Sequence, residues 1–410
     1  MATPWRLEDA EAHLLSLELF GMRFGLERMR RLLTALGSPQ ERFAAVHVVG
    51  TNGKSSTVRM IAALLEAHGV RTGAFLSPHL TSFAERIRIG DADLDDDAFA
   101  AAVQQVAAAA AKVDRTLEDD DDHVTQFELV TATAFLALAR QEVEVAVVEA
   151  GLGGRHDATN VLGAPVVVLT NVGLEHTRWL GPTVRDIARE KLAVVRAGGD
   201  GVTLVLGPVD PEVHELAAAT GARIVEPEPL EASAALPGYQ ADNFAVAAAA
   251  ARAHLGDLDP RLVAEVAGRI QVPGRMQVVS ERPLTVYDGA HNPSGVEALA
   301  ETLPGARPLI AVVSILDDKD AAGMLRALVG KISGAVFTSS RNPRALSPAT
   351  LASLAEQLGG PPSEIVRDPR QAVDRARELA GPDGAVLATG SIYLIADLLG
   401  DPARRRASAL

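Results

Sequence analysis

Short apolar runs rich in β-branched residues recur along the chain, and longer stretches with helical spacing separate them. In the N-terminal two thirds, the predicted strands are 46–49, 74–76, 143–148, 166–170 and 202–206, and the predicted helices are 57–68, 127–140, 184–196 and 243–254. The runs lack strict alternation of apolar and polar residues, which is typical of parallel strands covered on both faces. The pattern predicts an α/β fold with a doubly wound, mostly parallel sheet.

A second, shorter series follows, with predicted strands at 285–287, 308–313, 335–338 and 385–388. This series predicts a smaller C-terminal Rossmann-like α/β domain. Pro273 and Gly274 break the helix that precedes it, so we place the junction between the domains at about residues 271–279. The predicted domains are 1–272 and 278–410.

The composition is that of a folded chain with an aliphatic core. Of 410 residues, 48% are hydrophobic and only 4% are aromatic, so alanine and aliphatic side chains must fill the core. The formal charge of −14 disfavours non-specific electrostatic binding of nucleic acid or anionic lipid over the whole surface. The chain has no cysteine, which excludes disulfides, thiolate metal sites and cysteine nucleophiles. Neither a signal-like segment nor a run of about 20 apolar residues occurs, which predicts a cytoplasmic protein without a membrane partner.

The segment GTNGKSST, residues 50–57, lies between a predicted strand and a predicted helix. Glycines at such a turn let backbone N–H groups face an anion, the helix N-terminus adds positive potential, and Lys54 adds a point charge. The general P-loop spacing is met only in its GK[ST] half, because Val48 stands where the first glycine is expected. The flanking strand and helix favour a nucleotide triphosphate site over an ordinary loop, and they predict an N-terminal domain of P-loop type.

Two further polar clusters follow predicted strands. Glu149 ends the strand before GLGGRHDATN (151–160), and His176 lies in TNVGLEHTRWLG (170–181). A carboxylate at the end of a buried strand suits a hard cation such as Mg²⁺, although a glycine turn with a solvated glutamate explains the pattern equally well. A lone histidine is more often a capping or packing residue, but its position after a strand favours a ligand. Lys191 on the next helix is ordinarily a solvated charge.

In the second series, YDGAHNP (287–293) ends a strand. Asp288 could accept hydrogen bonds from a ribose hydroxyl, and His291 could point at a phosphate. Taken alone, an Asx-type turn is the simpler explanation of this segment, and the run DDKD at 317–320 is typical of a helix start. Several such clusters at strand ends of two α/β domains, with an arginine at the junction, are hard to explain by packing alone.

The order of these motifs resembles that of the Mur ligase superfamily and, more narrowly, of the folylpolyglutamate synthase/dihydrofolate synthase family. The resemblance is carried by GTNGKSST, LSPHLTSFAERIRI, VVEAGLGGRHDATN, GLEHTRWLG with AREK, PGRMQ, DGAHNP and DDKD. It extends from Gly21 to beyond Gly390 and covers nearly the whole chain. It implies an ATP-dependent ligase that joins an acid to an amino acid.

The resemblance also implies an ATP site and two Mg²⁺ sites. The residues that it implies for ATP are Thr51, Asn52, Gly53, Lys54, Ser55, Asn243, Arg275 and Asp288. The implied metal ligands are Ser77, Glu149, His176 and Lys191. Lys191 could serve only if carbamylated, which would convert its cationic amine into a carboxylate. The implied catalytic residues are Lys54, His176, Lys191 and His291.

A pterin-type substrate is implied in the same way. Its expected contacts are Met22, Arg23, Phe24, Phe127, His156, Asp157 and Ala158. Two positions depart from the family's usual pattern, because Ser55 replaces a glycine after the loop lysine and His156 replaces a leucine. The first departure bears on the geometry of the loop, and the second bears on the pteroate contacts.

The activity that the resemblance implies is the ATP-dependent addition of L-glutamate to dihydropteroate, to folate polyglutamates, or to both, through an acyl phosphate. It implies a monomer whose partners are small molecules, namely ATP, L-glutamate and a dihydropteroate or reduced folate, and not nucleic acid. The nearest alternative is another Mur ligase acting on a UDP-sugar peptide. A nucleotide-binding regulator that has lost catalysis is a second alternative, and an NAD-binding dehydrogenase is a weaker third.

Overall fold

The computed structural model describes residues 3–17, 25–117, 123–196, 198–303 and 308–400. Within these ranges the chain builds two sheets, which we use to define an N-terminal and a C-terminal domain. The strands of the N-terminal sheet are β1 (Ala44–Val49), β2 (Thr72–Phe75), β3 (Ile87–Ile89), β4 (Ala92–Asp93), β5 (Val145–Glu149), β6 (Val166–Leu169), β7 (Thr203–Leu206) and β8 (Arg223–Val225). Those of the C-terminal sheet are β9 (Gln277–Glu281), β10 (Leu284–Tyr287), β11 (Leu309–Val313), β12 (Gly334–Phe337), β13 (Ser363–Ile365) and β14 (Ala385–Thr389).

Helices cover both faces of each sheet. Those of the N-terminal domain are α1 (Leu7–Ser16), α2 (Glu27–Ala35), α3 (Lys54–Ala67), α4 (Asp96–Asp114), α5 (Gln126–Arg140), α6 (Thr177–Leu180), α7 (Val184–Leu192), α8 (Pro211–Ala218), α9 (Tyr239–Leu255) and α10 (Pro260–Arg269). Those of the C-terminal domain are α11 (Pro293–Thr302), α12 (Ala321–Val329), α13 (Pro348–Gln357), α14 (Pro369–Ala380) and α15 (Ile392–Leu399).

The order of the N-terminal sheet is β4-β3-β2-β5-β1-β6-β7-β8. All neighbouring strands are parallel except at the β2–β3 and β3–β4 pairs. The chain leaves β1 for β2 on one side, and it later crosses from β5 to β6 on the other side of β1. Ligands of open α/β sheets bind outside the carboxyl ends of strands at such a reversal. The topology therefore predicts a ligand site at the loops after β1, β5 and β6.

The C-terminal sheet has the order β13-β12-β11-β14-β10-β9. Its strands are parallel except for β9, which runs antiparallel to β10 at one edge. The strand order reverses beside β10, because β14 lies between β10 and β11. The segment 270–276 connects α10 to β9, and residues from both domains therefore lie close to it.

Small aliphatic side chains fill the core, as the low aromatic content predicts. One face of the N-terminal sheet packs against α3, α9 and α10 through residues such as Val48, Ile61 and Ala247. The opposite face packs against α4 and α5 through residues such as Val103 and Leu138. Because both faces of the central strands are covered, their sequences show apolar runs instead of alternation.

The structure confirms the predicted α/β class with its two parallel-rich sheets. All the predicted strands and helices occur, with ends that shift by a few residues. The helix predicted at 184–196 was too long, because α7 ends at Leu192 and a turn follows. The sequence pattern did not predict the edge strands β4, β8, β9 and β13 or the neighbouring β3, which have two to five residues and few buried side chains. In the ranges that the structure describes, no helix has both the length and the apolar character needed to cross a membrane.

A buried ion pair ties α2 to α5. The Arg28 guanidinium donates to Glu128 across 3.3 Å, and each side chain is 8% exposed. We predict that Glu128→Ala lowers the free energy of unfolding of the N-terminal domain by about 3 kcal/mol. The change removes the carboxylate that pairs with a buried cation and that also accepts the Thr125 backbone N–H at the start of α5. Trp5 and Trp179, the chain's two tryptophans, both belong to this domain, so urea titration followed by tryptophan fluorescence measures the change.

The matched control is Glu212→Ala, which breaks the exposed pair with Arg185. We expect this change to cost about 0.5 kcal/mol or less, because solvent screens exposed pairs. Equal losses in the two variants would contradict the assigned role of the Arg28–Glu128 pair.

Candidate active site

The loop between β1 and α3 is held in a conformation that requires glycine at two positions. Gly50 has φ 151°, and a Cβ atom there would lie 1.8 Å from Oγ1 of Thr170. Gly53 has φ 83°, and a Cβ atom there would lie 2.4 Å from Oδ1 of Asn243. The loop is therefore closely packed between the end of β6 and helix α9.

Hydrogen bonds from the segment after β6 fix the same loop. The backbone N–H groups of Thr51 and Asn52 donate to the backbone and side-chain oxygens of Asn171, across 3.0 and 2.9 Å. The Thr170 hydroxyl donates to the carbonyl of Asn52 across 2.7 Å. These contacts bring together two motifs that are more than 100 residues apart in the sequence.

Two lysine side chains converge on one carbonyl oxygen of this loop. The Nζ atoms of Lys54 and Lys191 donate to the Gly50 carbonyl across 3.0 and 2.7 Å. Lys191 is 1% exposed, and it also donates to Oε1 of Glu175 across 2.5 Å. Burial opposes ionisation of Glu175, but Lys191 and Lys54 outweigh it and lower the pKa of this carboxyl to about 2. Burial lowers the pKa of Lys191, while the neighbouring Glu175 acts in the opposite direction. The loop therefore carries two lysines and an adjacent carboxylate, and Lys54 is the lysine that is only part-buried.

Glu149 ends β5 beside the loop and is 1% exposed. Its Oε1 accepts the Ser55 hydroxyl across 3.0 Å, and its Oε2 accepts the Ser77 backbone N–H across 3.1 Å. Burial raises the pKa of Glu149, while Lys54 and these hydrogen bonds act in the opposite direction. The structure thus brings three of the expected residues together, with Glu149 accepting the hydroxyl of Ser55 and the backbone N–H of Ser77.

His176 lies at the start of α6 with φ 44°. The residue is exposed, but partial desolvation of its imidazole, together with Lys319 of the C-terminal domain, lowers its pKa to about 4. The imidazole is therefore neutral at pH 7 and able to ligate a cation. Among the described residues, no three histidine, aspartate or glutamate side chains lie close enough to hold a metal. Mg²⁺ usually takes one or two carboxylates and completes its shell with water and substrate phosphates. The residues present therefore fit a magnesium ion bound together with a nucleotide.

Across the cleft, the C-terminal domain contributes Asp288, Arg275 and His291. The Asp288 carboxylate accepts the backbone N–H groups of Met276 and Ala290, across 2.8 and 2.9 Å, and the Tyr239 hydroxyl. A Cβ atom on Gly289 would lie 2.3 Å from Nη1 of Arg275, which places the guanidinium against the same turn. Asp288 thus fastens the junction between the domains in addition to its predicted contact with ATP.

His291 lies in the same turn, and its Nδ1 atom is 2.9 Å from the Gly289 carbonyl. Burial and the nearby Lys319 and Arg275 lower the pKa of His291 to about 4. The imidazole is therefore neutral at pH 7, and its role as a catalytic residue stays a prediction.

The two domains touch directly at the phosphate loop. The amide Nδ2 of Asn52 donates to the Ser294 hydroxyl across 3.1 Å, and Nδ2 of Asn292 donates to Oδ1 of Asn52 across 2.9 Å. The expected ATP residues consequently lie on both sides of this contact: Thr51, Asn52, Gly53, Lys54, Ser55 and Asn243 on the N-terminal side, and Arg275 and Asp288 on the other.

Of the expected pterin contacts, Phe127, Asp157 and Ala158 lie around the loop that follows Glu149. A Cβ atom on Gly151 would lie 2.4 Å from Cζ of Phe127, so this ring packs on the loop backbone. Asp157 and Ala158 are buried, whereas His156 is exposed. The expected contacts at Met22, Arg23 and Phe24 fall outside the described residues.

A buried chain of hydrogen bonds fixes the conformation of the loop 151–160. The Asp157 carboxylate accepts the N–H of Leu152 across 2.8 Å and the hydroxyl of Thr159 across 2.5 Å. Nε2 of His47, on β1, lies 2.8 Å from the same hydroxyl. Because the hydroxyl donates to Asp157, it accepts from His47, and the proton of this imidazole is on Nε2. Burial lowers the pKa of His47 to about 4.

Sequence analysis did not single out Glu175, His47 or Lys319. Glu175 directly precedes His176 after a strand, and that position was a usable signal. Lys319 stands in a run interpreted as a helix start, and Asp320 does cap α12. Nothing in the sequence shows that Lys319 faces histidines of both domains, because that proximity arises only from the packing of the domains.

Comparisons with known proteins agree with this architecture. A model of the Mur ligase middle domain matches residues 48–235, and a model of the Mur ligase glutamate ligase domain matches residues 274–392. The fold of the chain is thus that of a Mur ligase.

The curated relatives define the family more narrowly. The dihydrofolate synthase/folylpolyglutamate synthase of Mycobacterium tuberculosis is 34% identical over 426 residues, which cover 90% of this chain and 88% of that protein. A probable bifunctional folylpolyglutamate synthase/dihydropteroate synthase of Haloferax volcanii is 34% identical over 95% of this chain, which spans 50% of that longer protein. The chain belongs to the folylpolyglutamate synthase/dihydrofolate synthase family.

Solved structures share the whole fold. Mycobacterium tuberculosis folylpolyglutamate synthase complexed with ADP has a TM-score of 0.88 at 32% identity, covering 97% of this chain and 99% of that chain. A bifunctional folylpolyglutamate synthase/dihydrofolate synthase with Mn, AMPPNP and L-glutamate bound has a TM-score of 0.84 at 28% identity, covering 96% and 97%. The expected family, fold and enzyme class are confirmed.

The depressed pKa of His47 makes a prediction about acid stability. In the unfolded chain this imidazole takes up a proton near pH 6.5, but in the folded chain only near pH 4, so stability is lost as the pH falls through that window. We predict that the His47 contribution falls by about 3 kcal/mol between pH 7 and pH 4. His47→Gln, whose amide can replace the Nε2 donor, should remove this loss.

Urea titrations at a series of pH values, followed by tryptophan fluorescence, measure the difference between the two proteins. The unaltered chain should lose its advantage over His47→Gln as the pH falls. Parallel stability curves from pH 7 to pH 4 would contradict a buried neutral imidazole at this position.

Proposed function

We propose that this chain uses ATP to join L-glutamate to a pteroate- or folate-type carboxylic acid through an acyl phosphate. The observation that carries the proposal is the convergence of the phosphate loop, Lys54, Glu149 and His176 at one edge of the sheet, opposite Arg275 and Asp288. The ADP, AMPPNP, Mn and L-glutamate held by similar solved structures support the same ligands here. ATP and a divalent metal are therefore the proposed cofactors.

A carboxylate does not react usefully with an amine, because oxide would have to leave. In the first step, a carboxylate oxygen attacks the γ-phosphorus of ATP in line, and ADP leaves. The phosphate loop backbone and Lys54 bind the phosphates and offset the negative charge, and Arg275 approaches from the other domain. Catalysis at this step consists of positioning and electrostatic stabilisation.

Glu149, Ser77 and His176 would hold Mg²⁺ beside these phosphates, and a carbamylated Lys191 would hold a second ion. When bound, the metal supplies Lewis-acid stabilisation of the phosphoryl oxygens. The unmodified Lys191 is an ammonium paired with Glu175, so its part in a second metal site depends on the modification. The ligand set and the catalytic roles stay predictions.

In the second step, the amine of glutamate attacks the acyl carbon, loses a proton, and expels phosphate to leave an amide. Closure of the two domains around the cleft would exclude water, which would otherwise hydrolyse the acyl phosphate. The partly buried aromatic ring of Phe127 and the loop 151–160 form the proposed contact surface for the pterin-type substrate. Both acceptors, dihydropteroate and folate polyglutamate, are proposed, since relatives carry both names. The monomeric state, the cytoplasmic location and the absence of a nucleic-acid partner stay predictions.

Product analysis tests this proposal. The chain is incubated with ATP, Mg²⁺ and L-glutamate, and with dihydropteroate, a reduced folate or a UDP-sugar peptide as the acceptor. We expect a glutamylated product from at least one folate-type acceptor and none from the peptide. Lys54→Ala should lower turnover by roughly a hundredfold or more, because one charge that stabilises the transition state is lost. The control Lys112→Ala changes an exposed lysine on α4 and should leave turnover unchanged.

Glutamate-independent ADP release alone, or product from the UDP-sugar peptide alone, would overturn the proposal. Near-normal amide formation by Lys54→Ala would remove the role assigned to that lysine.

The metal role of His176 has its own test. We predict that His176→Ala raises the Mg²⁺ concentration needed for half-maximal activity, because a neutral imidazole ligand is lost. Mg²⁺ titrations at saturating ATP measure this, with the exposed His214→Ala as the control. An unchanged Mg²⁺ dependence would remove His176 from the ligand set.

A further inference from the structure

Tyr239 begins α9 of the N-terminal domain, but its side chain packs into the other domain. Its partly buried ring lies against the core cluster of the C-terminal domain. Its hydroxyl donates to Oδ2 of Asp288, a residue that is 1% exposed. Directly before it, a Cβ atom on Gly238 would lie 2.1 Å from the Thr302 side chain at the end of α11. The first turn of α9 is therefore fixed against the C-terminal domain.

The hydroxyl of Tyr239 is a donor at neutral pH. Burial and the neighbouring Asp288 both raise the pKa of this phenol, so it keeps its proton. Asp288 also accepts the backbone N–H groups of Met276 and Ala290. Of these three donors, Tyr239 is the one that belongs to the N-terminal domain, and its bond to a carboxylate is stronger than a bond between two neutral groups.

Asp288 in turn fixes the segment that carries Arg275. The oxygen that accepts the phenol also accepts the Met276 N–H across 2.8 Å, and Met276 has φ 47°, a left-handed conformation that costs energy in a residue other than glycine. The Gly289 N–H donates to the Gly274 carbonyl across 2.8 Å, and the same carbonyl accepts Nη1 of Arg275 across 3.3 Å. The guanidinium is thus held by backbone groups on either side of the Asp288 contacts.

The same end of α9 also reaches the phosphate loop. Nδ2 of Asn243 donates to Oε1 of Gln240 across 3.0 Å, and Nε2 of Gln240 lies 3.5 Å from the Arg275 carbonyl. On its other side, Asn243 packs against Gly53 of the loop. The start of α9 therefore contacts expected ATP residues in both domains, through Asn243 on one side and through Tyr239 on the other.

We propose that Tyr239 is a positioning residue for ATP, which acts by holding Asp288 and the segment of Arg275 in the orientation that the nucleotide meets. The proposal rests on the proposed function, which places ATP against Asp288 and Arg275. The bond from Tyr239 is present before a nucleotide binds. Part of the ordering that nucleotide binding requires is therefore already complete in the free protein, and the nucleotide binds more tightly as a result.

Tyr239→Phe tests the proposal, because it removes the hydroxyl and keeps the ring. The matched control is Tyr287→Phe, since Tyr287 directly precedes Asp288 and its hydroxyl has no hydrogen-bond partner among the described residues. The dissociation constant of AMPPNP with Mg²⁺ is measured by calorimetry, which needs no turnover. We expect Tyr239→Phe to raise this constant about fivefold or more, because a hydrogen bond to a carboxylate is lost, and Tyr287→Phe to change it by less than about twofold.

A double-mutant cycle tests whether Tyr239 acts through Asp288. Asp288→Ala removes the acceptor of the phenol, so adding Tyr239→Phe to Asp288→Ala should weaken AMPPNP binding by less than about twofold further. Losses that multiply in the double variant would show that Tyr239 affects the nucleotide by another route, and they would overturn the proposal.

An unchanged dissociation constant in Tyr239→Phe, or a lower one, would also overturn the proposal, because the hydroxyl would then be either neutral for the nucleotide or in competition with it for Asp288. A Tyr239→Phe chain that fails to fold, or a rise in the constant that Tyr287→Phe reproduces, would show a general structural role and overturn it too. Failure of the proposed function is distinguishable, because the unaltered chain would then bind AMPPNP but form no amide.

Discussion

The side chains of Lys54 and Lys191 both donate to the carbonyl oxygen of Gly50, and the other groups of the site are arranged around these two lysines. Like charges at this distance repel, and one carboxylate, Glu175, lies against them to offset part of the repulsion. Glu149 adds a second carboxylate beside Lys54, so the site suits a polyphosphate that arrives together with its metal ion. The glycine at position 50 makes the arrangement possible, because the backbone there presses on Thr170 too closely for any side chain.

The central strands could be predicted from the sequence because burial on both faces leaves an unmistakable apolar run. Edge strands such as β4 and β13 have little burial, so their sequences resemble loops. The end of α7 was misplaced because apolar spacing continues to Val195 beyond the last helical turn. Strand–helix alternation thus determined the fold class, and local composition left the sheet edges undetermined.

The candidate site divides in a similar way. Residues within a strand-end motif, such as Lys54, Glu149 and His176, are visible because chemistry and secondary structure coincide over a few positions. Contacts between motifs cannot be predicted in this way, because they join residues that are far apart in the sequence. The bond from Asn52 to Ser294 joins residues 242 apart, and the neutral state of His47 depends on what encloses it.

The bonds between Asn52 and the turn at Asn292 also limit how firmly the cleft can stay shut. They are contacts between neutral groups, each worth about 1 kcal/mol in net stability. Hydrogen bonds of that strength favour the closed arrangement of the two domains without making it permanent. These bonds are strong enough to align the two halves of the active site. They are also weak enough for the domains to separate and release ADP and the glutamylated product once per catalytic cycle.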